Sequence, residues 1–361
     1  MADRPIEVRG DELELLVAGQ AFSGWESMTV ARALDALSAR FSLVVSDRNP
    51  YPVRPGDECT VRVAGEVLVT GHVDGLEFKG DANGRTLTVG GRDRTADLVD
   101  CSELTDPGEW VDVGLAELAQ FIADPFGVEV RALFTDALDP FAVFRRQPGE
   151  TAWSAIERAC RLRGILAFSS GDGALLLDRP ASTRSSVPLV EGEGGNVEEW
   201  TITVDHANRF RNYFVRGQSS GSDDFSGELA AEIEGEATDE GIDRFRPLLV
   251  VAEGALTFDD AADRAAWEAT VRAARAARLE VLVQGWRQTV GKGPVWSVNQ
   301  LVPVRIPSAG LSRELLVDSV TFERSTSRTA TRLSLTRPDA YRPQPIVEAF
   351  DDFLGDALED G

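Results

Sequence analysis

The chain has 361 residues, which at ~100 to 200 residues per domain leaves room for two or three domains. Sixty acidic residues against 37 basic ones give a formal charge of −23, a balance that repels phosphate backbones and anionic membrane surfaces and excludes a general nucleic-acid binder. A composition 43% hydrophobic and 27% charged is that of a chain that folds, and no apolar run reaches the ~18 to 20 residues of a membrane span.

The N-terminus lacks the apolar core of a signal peptide, so synthesis in a cytoplasm is expected. With only His72 and His206, the commonest general base and metal ligand is scarce, and neither a metal, a cofactor nor a catalytic residue is expected. Cys59, Cys101 and Cys160 are an odd set at distant spacings and read as reduced, buried thiols.

In chain order, Leu13, Leu15 and Val17 alternate against Glu12 and Glu14 as a half-buried strand does. Val30, Leu34, Leu37 and Phe41 fall at helical spacing and predict a helix over 28–41. Strands follow over 59–63, 67–73 and 86–89, the last two separated by the turn-forming Asp81-Ala82-Asn83-Gly84. The period then changes: Leu115, Leu118, Phe121 and Ile122 predict a helix ending before Pro125, and Thr151, Ile156 and Leu162 another ending near Gly164. Ile165–Phe168 and Ala174–Leu177 make a hairpin.

After the Ser/Gly/Glu-rich stretch 182–196, strand patterns return at 200–204, 212–215, 279–283, 301–306, 315–322 and 331–335. Two insertions interrupt them. Residues 219–240 hold eight carboxylates and no base and read as a solvated loop. Residues 258–278 read as a helix, with Thr257 and Asp260 placed as a capping box and nine alanines that suit close packing. Past Tyr341, two prolines precede Ile346, Val347, Phe350, Phe353, Leu354 and Leu358, an acidic amphipathic segment read as a docking tail.

The fold class expected is α+β, mainly β. Its parts are a first β domain (1–95), a small α+β domain (96–190), a second β domain (191–345) with acidic loop 219–240 and helix 258–278, and the tail 346–361. A duplication supports the two β domains: Val67–Val73 before Thr86–Val89 parallels Glu314–Val320 before Arg332–Leu335.

Motifs with chemistry are weak. Gly217-Gln218-Ser219-Ser220-Gly221 spells a nucleophile elbow, but an acidic loop follows where a helix is needed, and both histidines precede it. Gly291-Lys292-Gly293 lacks the remaining phosphate-loop residues. Of the seven tryptophans, Trp25 and Trp267 have charged neighbours and are the interface candidates, together with Phe350, Phe353 and Leu354 of the tail.

Phe22-Ser23-Gly24-Trp25, Arg54-Pro55-Gly56-Asp57, Gly71-His72-Val73-Asp74 and Gly91-Arg92-Asp93-Arg94 running into Asp97–Ser102 stand in an order that resembles the phage Mu tail protein P family, the baseplate hub of contractile tails. Pro125-Phe126-Gly127, Asp243–Leu248, Ala266-Trp267-Glu268, Gly285-Trp286 and Trp296 with Asn299 extend the likeness from about residue 10 to 341. The family is related to the VgrG-type hub modules of type VI secretion spikes. The resemblance implies that the two β domains, 1–95 and 191–345, are barrel-like tube domains, and that a homotrimer's six of them continue the hexameric tail tube and hold a separate trimeric membrane-piercing spike. Tape-measure and adjoining baseplate ring proteins are further expected partners. DNA would pass through the lumen without specific binding, which suits carboxylate-lined walls. The place implied is the virion tail, with no membrane contact and no catalytic residues. A lytic, peptidoglycan-cleaving tail enzyme and a carbohydrate- or receptor-binding β protein stay open as alternatives.

Overall fold

A computed structural model describes residues 13–46, 52–63, 65–80, 84–218, 232–252, 257–289 and 292–345. The docking tail 346–361 and Ser219 of the elbow motif lie outside the described residues.

The chain opens with seven strands: β1 (Leu13–Val17), β2 (Gln20–Phe22), β3 (Ser27–Ala33), β4 (Ala36–Ser46), β5 (Glu58–Val63), β6 (Glu66–Gly80) and β7 (Arg85–Asp93). The helix expected over 28–41 is instead the β3–β4 hairpin, with Val30 opposite Phe41 and Ala33 opposite Ala36. The reason lies in the pattern on either side of the turn. Met28 and Val30 alternate inward on one strand and Leu37, Ala39, Phe41, Leu43 and Val45 on the other, so two period-2 series joined by a tight turn mimic a helical spacing.

The middle segment holds α1 (Ala96–Asp100), β8 (Glu109–Val113), α2 (Leu115–Ala123), β9 (Val130–Ala132), β10 (Phe141–Arg145), α3 (Ala152–Leu162), β11 (Leu166–Ser169) and β12 (Leu175–Asp178). The predicted helices and hairpin are present. Thr151 caps α3 by accepting from Ser154 N at 3.1 Å. Leu118, Ile122, Ala155, Ile156 and Leu175 share one core there. At the tip of the β11–β12 hairpin Gly171 has no room for a side chain: its Cβ would lie 2.4 Å from Val67 O of β6.

Short strands β13 (Thr183–Arg184) and β14 (Leu189–Val190) lead to β15 (Val197–Val204). Next come β16 (Asn212–Gln218), β17 (Glu232–Thr238), β18 (Pro247–Val251) and α4 (Phe258–Arg275), then β19 (Ala277–Gln284), β20 (Arg287–Thr289), β21 (Lys292–Val295), β22 (Gln300–Ile306), β23 (Leu311–Arg324) and β24 (Thr329–Thr336).

Fourteen strands form one hydrogen-bonded sheet in the order β15-β19-β24-β23-β3-β4-β7-β6-β5-β1-β2, with β22 on β23 and β13 and β14 on β22. The strands expected in two separate barrels are thus joined through β23 and β3. Within this sheet one five-stranded unit occurs twice: β3-β4-β7-β6-β5 and β15-β19-β24-β23-β22. The long strand of each unit carries a bulge at an equivalent place, Asp74 in β6 and Asp318 in β23, and six residues beyond it pair with the next strand in each case; β6 has a further bulge at Leu68, against β5.

Bulge on bulge, Val73-Asp74-Gly75-Leu76-Glu77-Phe78 falls on Val317-Asp318-Ser319-Val320-Thr321-Phe322. The sequence-based alignment, Val73 on Val320, is three residues out of step. An odd slip exchanges the two faces of a strand, and apolar alternation alone could not detect it across an unseen bulge.

The described residues divide into two compact units, those of 1–202 with 279–336 and those of 203–278 with 337–345. The second holds α4 against the sheet β17-β16-β18, around Tyr213, Val215, Ile233, Ala261 and Ala265. Part of the expected acidic loop is therefore strand β17. Its carboxylates alternate outward, with Glu234 paired to Arg216, while Ile233 points in. A Cβ on Gly235 would lie 2.1 Å from the Ala261 carbonyl carbon, so the glycine is what lets the alanine-rich helix lie on the strand. The capping box is present: Thr257 Oγ1 accepts from Asp260 N at 3.2 Å, and Thr257 N donates to Asp260 Oδ2 at 2.9 Å.

Candidate assembly interface

Trp25 is 4% exposed, its indole donating to Phe22 O at 2.9 Å, so the ring belongs to the core and offers a partner little surface. Trp267 is half-buried on α4, donating to Arg342 O at 2.8 Å, with the Arg264 guanidinium 4.9 Å above its ring. Phe350, Phe353 and Leu354 lie outside the described residues.

At the positions equivalent to the β23–β3 junction, two lengths of strand edge are bare among the described residues. Beyond its bulge β6 pairs with β7 on one side, and among the described residues no strand pairs on the other. Among the described residues β15 pairs with β19 alone. The matching edges are both covered, because β23 beyond its bulge pairs with β3, Phe322 opposite Val30. Burial follows: Phe322 is 0% exposed and its counterpart Phe78 is 71%. On β15, Ile202 is 37% and Val204 61% exposed. These residues carried no signal in the sequence, where an aromatic on a strand looks the same covered or bare.

Charges frame both edges. At the β6 bulge Arg92 holds Asp74 and Asp100, each at 2.7 Å, and its hydrogen bond keeps the Asp100 carboxyl below the usual range. Lys79 pairs with Glu77 at 2.9 Å. On β15, Glu198 and Glu199 both meet Arg328 from the β23–β24 turn. Arg32, at the register shift between β3 and β4, is half-buried and donates to Leu68 O of β6; desolvation of its guanidinium lowers the pKa to about 10.

Among the described residues, no three His, Cys, Asp or Glu side chains stand where they could hold a metal ion. Burial pushes the Cys59 thiol up to about 12, beside Asp74 and Asp57, and raises that of Cys160 as well. Cys101, expected to be buried, is exposed, because it follows the last residue of α1. No helix of the described residues is long and apolar enough to cross a membrane.

Over 314 residues, 84% of this chain and 82% of the relative, the sequence is 32% identical to baseplate hub protein gp44 of Escherichia phage Mu. The chain belongs to the Mu phage baseplate hub family. Residues 12–93 match the family described as Mu phage baseplate assembly protein GpP-like, N-terminal; 95–179 match baseplate hub protein gp44-like, second domain; and 257–344 match Mu phage baseplate assembly protein GpP, fourth domain. The first five-stranded unit of this hub protein falls in the N-terminal match, and β19, β22, β23 and β24 of the second fall in the fourth-domain match.

Among solved structures, the 43 kDa tail protein of prophage MuSo2 from Shewanella oneidensis is 31% identical, with a TM-score of 0.81 over 93% of this chain and 100% of that one. A tail protein from Neisseria meningitidis MC58 shares the fold at 22% identity, with a TM-score of 0.77 over 93% of this chain and 99% of that one. The resemblance read from the residues and the main-β α+β class are both in agreement with these matches.

Proposed function

We propose that this hub protein is a structural, trimeric adapter in a contractile phage or prophage tail. Three copies would present six equivalent β units, continue the hexameric tail tube on one side and hold a separate trimeric spike on the other. The observation that carries this reading is the five-stranded unit repeated within one chain, because a duplicated unit converts threefold into pseudo-sixfold symmetry. The reading places the protein in the virion tail after synthesis in the host cytoplasm. Tape-measure and adjoining baseplate ring proteins would be its further neighbours, and residues 346–361 would dock on the spike or a neighbouring subunit.

A charge of −23 suits a lumen through which DNA slides without adhering, since each fixed cation would add a phosphate contact to break. Mass photometry of the chain with its spike tests the adapter. Three copies per complex are expected, and a stable dimer or a complex with six copies overturns it. Cryo-EM showing a lumen dominated by Arg and Lys overturns the charge argument.

A further inference from the structure

We propose that β6 beyond its bulge, residues 75–80, pairs antiparallel with β15 of a second copy of this chain, as β23 pairs with β3 inside one chain. The proposal rests on the hub reading, which supplies the second copy, and adds which strands meet.

Within the chain one junction between the two units is made: Ser319–Arg324 of β23 run against Ala33–Met28 of β3, and Phe322 and Val30, facing each other, are both 0% exposed. The reciprocal junction, first unit onto second, would use the counterparts of those strands, β6 beyond Asp74 and β15, each of which pairs on one side only among the described residues. A chain carrying one of each edge can satisfy both only by meeting other copies head to tail, a heterologous contact that closes into a ring when its rotation divides the circle. An unpaired edge with exposed apolar side chains otherwise invites uncontrolled pairing.

The register can be worked out. Phe78 is the counterpart of Phe322 and Leu76 that of Val320. On the other edge, Asp205 N donates to Ala276 O at 2.8 Å just past the ends of β15 and β19, which carried inward sets Ile202 opposite Leu279. Leu279 lies opposite Leu335 as Phe41 lies opposite Gly91. Since Val30 faces Phe41, Ile202 is the counterpart of Val30.

The pairing then puts Phe78 across from Ile202, Leu76 across from Val204, and Gly80 across from Trp200, where a glycine leaves space for an indole. The opposite face receives Glu77 with Thr203 and Lys79 with Thr201. Apolar residues thus meet apolar ones and polar meet polar, on two edges whose register was fixed separately, and main-chain hydrogen bonds would complete the sheet.

The test uses the full chain assembled with its spike, a photo-reactive phenylalanine at position 78, and an equal mixture of isotope-labelled and unlabelled copies. Mass spectrometry is expected to find residue 78 joined to peptide 197–204 of a differently labelled copy. Phe78→Asp and Ile202→Asp, at positions exposed in the single chain, are expected to leave the melting of the unassembled chain unchanged and to weaken trimerisation about tenfold or more. A trimer whose residue 78 cross-links elsewhere, or one that forms equally well with Phe78→Asp, overturns the strand pairing and leaves the hub reading standing. A chain that never forms a trimer overturns both.

Discussion

The two five-stranded units share strand order and bulge, and they differ in what surrounds them. In the first, β3 and β4 are joined by Leu34-Asp35; in the second, the same junction between β15 and β19 carries residues 205–276, a compact unit with its own core. In the first, Gly71 and Gly91 stand where the second has Leu315 and Leu335. Phe78 is bare and Phe322 is covered. Backbone pairing defines the unit, and each side chain's burial is set by the strand next door.

The largest test of this comparison lies in the two phenylalanines. Phe322→Ala removes a fully buried ring and should cost about 3 to 5 kcal/mol, seen as a fall in the urea midpoint of the unassembled chain. Phe78→Ala should change that midpoint by less than about 0.5 kcal/mol, because its ring is already in water. Equal losses at both positions would break the equivalence drawn from the bulges.

Gly91→Ala comes next. Its Cβ would stand 2.2 Å from His72 O and 2.6 Å from the Phe41 ring, so strand β6 or the ring must move, at about 1 to 3 kcal/mol. Gly90→Ala is the control, since its nearest neighbour is Phe41 O at 3.8 Å. If Gly91→Ala were tolerated as well as Gly90→Ala, the first unit would be looser than the close approach of β6 and β7 implies.

Much of this architecture was legible in the sequence, and the failures have a common cause. Elements whose signal is local came through: α4 with its Thr257–Asp260 box, α3 with Thr151, and the β11–β12 hairpin across Ser169–Gly173. What depended on a partner strand did not. The β3–β4 segment has the alanine and leucine content of a helix, and only pairing with β23 and β7 makes it a hairpin. Strand β17 is an acidic run until β16 lies beside it. The bare edge followed the same rule: ring size drew attention to Trp25, which is buried, while Phe78, Ile202 and Val204 stand out only once the missing neighbour is seen.

The inserted unit should respond to acid where the repeated units need not. Burial acts to raise the Asp239 pKa, but two hydrogen bonds from Arg209, at 2.8 and 2.9 Å, and the Gly241 N–H outweigh it and hold the carboxyl below its usual range. A carboxyl depressed on folding contributes stability above its unfolded pKa of ~3.9, and the contribution is lost as pH falls through the lower folded value. Asp239→Asn should therefore cost about 1 to 2 kcal/mol at pH 7 and shrink the loss between pH 5 and 2, read by hydrogen exchange across β16 to β18. Acid sensitivity there that is the same in the variant would assign it to other carboxylates.

A smaller effect than at Asp239 is expected at Arg328, the counterpart of Gly84 in the first unit. From the β23–β24 turn its guanidinium meets Glu198 and, at 3.2 Å, Glu199, adjacent carboxylates on β15. All three side chains are more than a third exposed, so solvent screens the pairs, and Arg328→Ala should cost less than about 1 kcal/mol in the unassembled chain. That loss should vanish in concentrated salt, where surface charges are screened within a few ångströms. The first unit has no such cation and β3 needs none, because β23 already holds it along its length. Among the described residues β15 is bonded on one side only, so a loss well above 1 kcal/mol that persists in salt would mean that Arg328 anchors the strand, doing for β15 what β23 does for β3.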